Sequence, residues 1–266
     1  MFGAIIGDII GSRFSSEKIK TKDFELFTDD SHYTECSVMT LAVAKAVINI
    51  RNGSEPSSAK LLSDNVSSFL RVLGRMFPDA GYSQKYMDWL EDDNAEAFKS
   101  TGNEAAVRIS PVGYAFCNSV DMTKYSKAVT VVTHNTPQAV KGAEAVCRCI
   151  SLCLNQTDTA SIRETISINY YPLDFSLADI RDQYKSDSSC NKTVPIAIEA
   201  FLESTGFEDA LRNAVSMGGE SSALASITGA IAGAYYPIPG ALMRSALTYL
   251  PVQLLGLCEE WDRFTA

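Results

Sequence analysis

The groups that could do chemistry lie in short polar stretches, each at the start of a run that reads as a helix. Gly218-Gly219-Glu220-Ser221-Ser222-Ala223 places a carboxylate and hydroxyls where an uncharged helix begins, running from Leu224 to about Tyr236. Its two glycines let the backbone approach a ligand closely, and amide groups at a helix start favour negative charge. Thr34-Glu35-Cys36-Ser37 opens a second helix, with Thr34 placed to cap it. Gly102-Asn103-Glu104 and Thr133-His134-Asn135-Thr136-Pro137 lead into two more. Glu35 and Glu220 are candidates for a general base. The residue types also offer a thiol nucleophile, Cys36 beside His134 or His32, although a cysteine at a helix start is more often buried than reactive.

Other eye-catching residues read as structural. Asp29-Asp30 lies in a long polar loop from Arg13 to Thr34 and has the surroundings of a solvated turn. A loop of that length can still wall a site. Asp8, among Ile5, Ile6, Ile9 and Ile10, is expected to bind backbone or solvent rather than metal. Cys149 and Cys153 are one helical turn apart but Cys147 points elsewhere, so these three assemble no zinc site.

The elements that must position these groups all have helical period. Glycines at 3, 7 and 11 form a small-residue face over residues 3–12. Helices are predicted over Glu35–Ile50, from Ser57 or Ser58 to Arg75, and briefly through Trp89. Others cover Glu104–Asn118 (disturbed at Pro111), Met122–Thr133, Pro137–Leu154, 159–168, 193–204, 207–217, Leu242–Leu250 and Val252–Glu260. The helix from Leu224 carries Gly229 and Gly233 four apart. Each glycine weakens a helix by about 1 kcal/mol relative to alanine. Close approach of neighbouring helices is the expected compensation, so this helix belongs at the centre of the fold. Its ~14 residues at ~1.5 Å each cannot cross a ~30 Å hydrocarbon core. No strand alternation, internal repeat or linker is visible. The expectation is an all-α protein: a compact single-domain orthogonal helical bundle spanning residues 1–266.

Composition narrows the function classes. The chain has 266 residues, 46% hydrophobic and 21% charged, as soluble globular proteins do. A net charge of −9 argues against a general nucleic-acid binder. Seven cysteines make no disulfide scaffold at this length and suggest a reducing compartment. Met-Phe-Gly-Ala with Asp8 interrupting the apolar run is no signal peptide. We expect a cytoplasmic protein without membrane or nucleic-acid partners.

Taken together, several stretches resemble the ADP-ribosylglycohydrolase family, the relatives of the dinitrogenase-reductase-activating glycohydrolase. They are Gly-Ala-Ile-Ile-Gly-Asp at 3–8, Val38-Met39-Thr40-Leu41-Ala42, Gly102-Asn103 with Arg108 and Ser110-Pro111, Thr133-His134-Asn135 with Pro137 and Gly142-Ala143, and Gly218-Gly219 with Gly229–Tyr236. Their order covers nearly the whole chain. The resemblance implies a compact all-α bundle holding two magnesium ions in a cleft. The metals would position the ribose hydroxyls of ADP-ribose and an activated water, and the glycosidic bond to a protein side chain would be hydrolysed. By the same resemblance, Gly102, Asn103, His134, Gly218 and Gly219 would bind substrate, and Thr34, Glu35, Glu220 and Ser222 would stand at the metal positions.

The departures fall at the chemistry. The family's Thr-Asp-Asp-Thr is Thr34-Glu35-Cys36-Ser37 here, with a soft sulfur in place of one aspartate. Its Gly-Gly-Asp-Thr-Asp-Thr is Gly218-Gly219-Glu220-Ser221-Ser222-Ala223. Gly-Asn-Gly-Ser has become Gly102-Asn103-Glu104-Ala105, a negative charge close to where a diphosphate would lie. An acidic residue expected shortly after Arg13 is replaced by Ser15-Ser16. Glu35 and Glu220 are what remains of four carboxylates, enough for at most one weakly held magnesium. The reading is a homologue impaired or inactive in hydrolysis that acts by binding a protein partner or an ADP-ribosylated target. The alternative is an active metal-dependent hydrolase that removes ADP-ribose from modified side chains, with Glu35 or Glu220 holding magnesium or acting as base.

Overall fold

The computed structural model describes residues 1–15, 18–53 and 58–266. Ser16 and the expected helix start at Ser57 lie outside these. Among the described residues the chain is helical throughout, with no strand beyond two isolated bridges. The helices are α1 Phe2–Ser12, α2 Glu35–Asn52, α3 Ala59–Met76, α4 Gln84–Glu91 and α5 Glu104–Val107. Next come α6 Ser110–Ala115, α7 Met122–Thr130, α8 Pro137–Leu154, α9 Thr159–Asn169 and α10 Leu177–Ile180. The last five are α11 Cys190–Leu202, α12 Phe207–Val215, α13 Ser221–Tyr235, α14 Gly240–Leu247 and α15 Val252–Thr265.

The glycine spacing explains the centre of the molecule. α1 lies antiparallel on α13, with Gly3 meeting Gly229, Gly7 meeting Ala225 and Gly11 meeting Ser221, all through backbone atoms. A methyl group on Gly3 or Gly7 would overlap the facing carbonyl outright. The contact therefore demands residues without a side chain, which is what the four-residue period provides. α8, α11 and α12 also pack against α13. From Ser221 to Ala232 every residue of α13 is buried, so its start, where Glu220 sits, is held from several sides.

Two differences from the sequence expectation concern the region that faces the site. Glu104–Asn118 is not one helix but α5 and α6, broken around Arg108-Ile109 just ahead of Pro111. Pro111, in the first turn of α6, has no amide hydrogen to donate to the Val107 carbonyl and its ring crowds that carbonyl, which accounts for the break. The other is α11, which begins at Cys190 rather than 193 and carries Pro195 inside it.

Candidate functional site

The first site element is the start of α2. Asp8 of α1 is fully buried and turns both carboxylate oxygens to it. Oδ1 accepts from the Thr34 hydroxyl (2.6 Å), and Oδ2 from the Thr34 amide (2.9 Å), the Ser37 amide (3.1 Å) and the Ser37 hydroxyl (2.5 Å). Thr34 Oγ1 in turn accepts from the Cys36 amide at 3.2 Å, the predicted cap. Asp8 thus binds backbone, as expected, and two hydroxyls as well. The arrangement rigidly aims Glu35 outward, but it uses up Thr34 and the nearest aspartate. Burial, reinforced by the nearby Asp8 charge, raises the Glu35 carboxyl to about 8. Cys36 is buried, its thiol donates weakly to Glu35 Oε1 (3.6 Å), and burial pushes it well above its ordinary range. That is opposite to what a thiolate nucleophile requires. Nor does either histidine reach it: His32 Nδ1 bonds the Asp30 carbonyl at 2.8 Å, and His134 is engaged elsewhere.

A cleft of about 560 Å³ brings Glu35, Gly102, Asn103, Glu104 and Glu220 together, with Lys85 and Lys99 on its wall. The 98–103 segment of that wall is strung between two neighbours by strand-like bonds. The Phe98 amide donates to the Thr133 carbonyl (2.9 Å), the Asn103 amide to Ser188 (2.8 Å) and the Cys190 amide to Thr101 (2.8 Å). Asn103 is itself buried, donating from Nδ2 to Thr193 Oγ1 at 3.0 Å. Its side chain braces the wall rather than projecting into the cleft.

Behind the wall runs a relay that sequence reasoning missed. Arg108, wholly buried, donates from Nη2 to Thr133 Oγ1 at 2.7 Å. Having accepted this bond, the Thr133 hydroxyl turns its own proton to His134 Nδ1, 2.7 Å away. The imidazole hydrogen must then be on Nε2, which donates to Glu104 Oε2 at 2.6 Å. Ser83 donates to the other Glu104 oxygen at 2.8 Å. Burial and the Arg108 charge hold the His134 ring below its ordinary value despite the pull of Glu104, so it is neutral at pH 7. Burial opposes the Glu104 charge, but the hydrogen bond from His134, the Ser83 hydroxyl and the Arg108 charge outweigh it and bring the carboxyl down to about 2. His134 has no exposed surface, and it positions Glu104 instead of touching a ligand.

The remaining candidates cluster at the start of α13. Gly218 has φ of 63°, a left-handed conformation suited to glycine, and lies against the Ile19 carbonyl. A side chain on Gly219 would strike the Tyr184 ring. Glu220 Oε1 accepts from Ser186 at 2.6 Å, and Ser222 Oγ lies 3.4 Å from Ser15 Oγ.

An all-α fold with this cleft between the starts of α2, α5 and α13 defines the class of protein. The family model described as ADP-ribosylglycohydrolase matches residues 1–263, and the chain belongs to that family. Among curated relatives, an uncharacterized protein of Archaeoglobus fulgidus is 27% identical over 146 residues, 49% of this chain and 48% of that one. The ADP-ribosylarginine hydrolase Tri1 of Pseudomonas putida is 25% identical over 151 residues, 53% of this chain and 40% of its own. The match thus spans half or less of these two proteins. Tri1 of Serratia proteamaculans is 25% identical over 270 residues, 89% of this chain and 70% of its own. A solved structure titled ADP-ribosylglycohydrolase-related protein complex superposes with a TM-score of 0.61 at 19% identity, covering 100% of this chain and 97% of that one. At that identity the likeness speaks for the fold.

Proposed function

We propose that this family member uses the cleft to bind an ADP-ribosyl group, free or on a modified protein, and that hydrolysis through a pair of magnesium ions is impaired or lost. The donor set at the two metal segments carries the reading. Magnesium takes hard oxygen ligands in near-octahedral array, and a pair needs several carboxylates to offset its charge. Here position 36 offers a buried sulfur, Asp8 is committed to the start of α2, position 222 carries a hydroxyl, and Glu35 and Glu220 are the two carboxylates at the metal segments. Among the described residues no three His, Cys, Asp or Glu side chains converge on one point as metal ligands would. The residues present do not fit a two-magnesium site.

Binding without turnover is supported by what the cleft keeps. Gly102 lines the cleft, while Gly218 and Gly219 are buried against the Ile19 carbonyl and the Tyr184 ring just behind Glu220. Glu104, which would repel a diphosphate, is turned toward His134 and Ser83 and leaves its side chain 18% exposed, while Lys85 and Lys99 supply positive charge on the same wall. One observation favours the active alternative: Glu220 lines the cleft with an oxygen not engaged by Ser186, and a single ion could sit there with waters.

Calorimetric titration with ADP-ribose, with and without magnesium, separates the two. The expected result is magnesium-independent binding, and no release of ADP-ribose from an ADP-ribosylated arginine peptide beyond that of a Glu220→Gln variant. Release that needs magnesium and vanishes in the variant would establish the active hydrolase instead.

A further inference from the structure

Glu220 enters the cleft from the turn at Gly218-Gly219, and the Ser186 hydroxyl holds its Oε1. Residues 184–188 belong to no helix or strand, so their place against the start of α13 has to be set by side chains. Both partners of the Ser186–Glu220 bond are moored to one ammonium that touches neither. Lys20 Nζ donates to the Met217 carbonyl at 2.6 Å, just ahead of the turn. It also donates to the carbonyls of Arg181 (2.6 Å) and Tyr184 (3.0 Å), just ahead of Ser186. These carbonyls follow the C-terminal ends of α12 and α10, where a cation is favoured. Three separate acceptors round one point match the three hydrogens of an ammonium and not the planar fork of arginine. Gly218 belongs to the same fit, since a Cβ there would stand 3.1 Å from the Lys20 stem. The Tyr184 ring, centred 5.6 Å from the ammonium, closes against Gly219.

We infer that Lys20 is the positioning residue for Glu220. It ties the Ser186 segment to the Gly218-Gly219 turn and so sets where the Glu220 carboxylate stands, although Lys20 itself does not line the cleft. Its effect on a ligand rests on the proposed use of the cleft; its effect on the two segments rests on the hydrogen bonds alone.

Hydrogen exchange on the full chain reads the mooring directly. Lys20→Met keeps the stem beside Gly218 and removes the charge and the donors. Exchange over residues 184–188 and 218–222 is expected to rise about tenfold or more, as for the loss of hydrogen bonds from a charged group. Lys22→Met, which removes a surface ion pair with Asp209, should leave both stretches unchanged. Calorimetry with ADP-ribose reads the consequence. The dissociation constant is expected to rise about tenfold in Lys20→Met and in Ser186→Ala, and no further when the two are combined, whereas general loosening would multiply the losses. Should Lys20→Met fold poorly, Lys20→Gln carries the same comparisons. Unchanged exchange in the Lys20 variant, an equal rise in Lys22→Met, or losses that multiply in the double variant would each overturn the assignment. A wild-type chain that binds no ADP-ribose would overturn the proposed use of the cleft instead, and the exchange data would then decide the role of Lys20.

Discussion

His134 illustrates how a residue with catalytic looks can be given over to architecture. Its tautomer is dictated by Thr133, whose hydroxyl already accepts from Arg108. We expect ¹⁵N chemical shifts to show a neutral ring protonated at Nε2 at pH 7; a doubly protonated ring would break this account. Glu104 makes the complementary prediction. Its folded value of about 2 lies below its ordinary 4.5, so the native state holds the carboxylate charged where the unfolded chain would begin to protonate. The resulting stability is present above pH 4.5 and lost as pH falls toward 2, on the order of 2 kcal/mol. Urea unfolding at pH 6 and pH 3 should reveal that loss in the wild type, and Glu104→Gln should flatten it. Removing the carboxylate also leaves His134 and Ser83 without their acceptor, so the variant should be less stable at pH 7.

Between elements, backbone contact and one buried carboxylate decide the arrangement. Gly7→Ala would drive a methyl into the Ala225 carbonyl, and helices joined by main chain cannot absorb that by a rotamer change. A loss of about 3 kcal/mol or more, or failure to fold, is expected in denaturant titration. Asp8→Ala strips four hydrogen bonds from the start of α2 and should cost a similar amount, about 3 kcal/mol. Much of this was legible beforehand. The four-residue glycine period announced the α1–α13 contact, and Thr136-Pro137 marked the start of α8, where Thr136 accepts from the Ala139 amide at 3.3 Å. Thr34 likewise capped α2 as read. The relay was not legible, because Arg108 lies 25 residues from Thr133 and Glu104 lies 30 from His134, and each type occurs in many surface roles. The same holds for Asp8: a lone acid in an apolar run signals a partner, but its spacing cannot say that Thr34 and Ser37 provide it.

For the molecule as a whole, the family match runs over residues 1–263, and the loss of acids at the metal positions is the part we propose. The quadruple variant Glu35→Asp, Cys36→Asp, Glu220→Asp, Ser222→Asp tests how far the frame has followed. The added acid at 36 lies beside Asp8 and position 35, and the one at 222 is also buried, so the variant should melt well below the wild type without metal. Magnesium should restore several degrees by binding the native state alone. A variant insensitive to magnesium would mean the cleft has changed shape and not merely its ligands. The Gly3–Gly229 contact has one more consequence, for biosynthesis. α1 has its main partner, α13, more than two hundred residues downstream, so the centre cannot close until α13 has been made. Until then an apolar, glycine-lined surface stays open, and loop closure over that span slows the final step. Chaperone demand during synthesis should therefore be high for a protein of this size, and slowing translation should not relieve it.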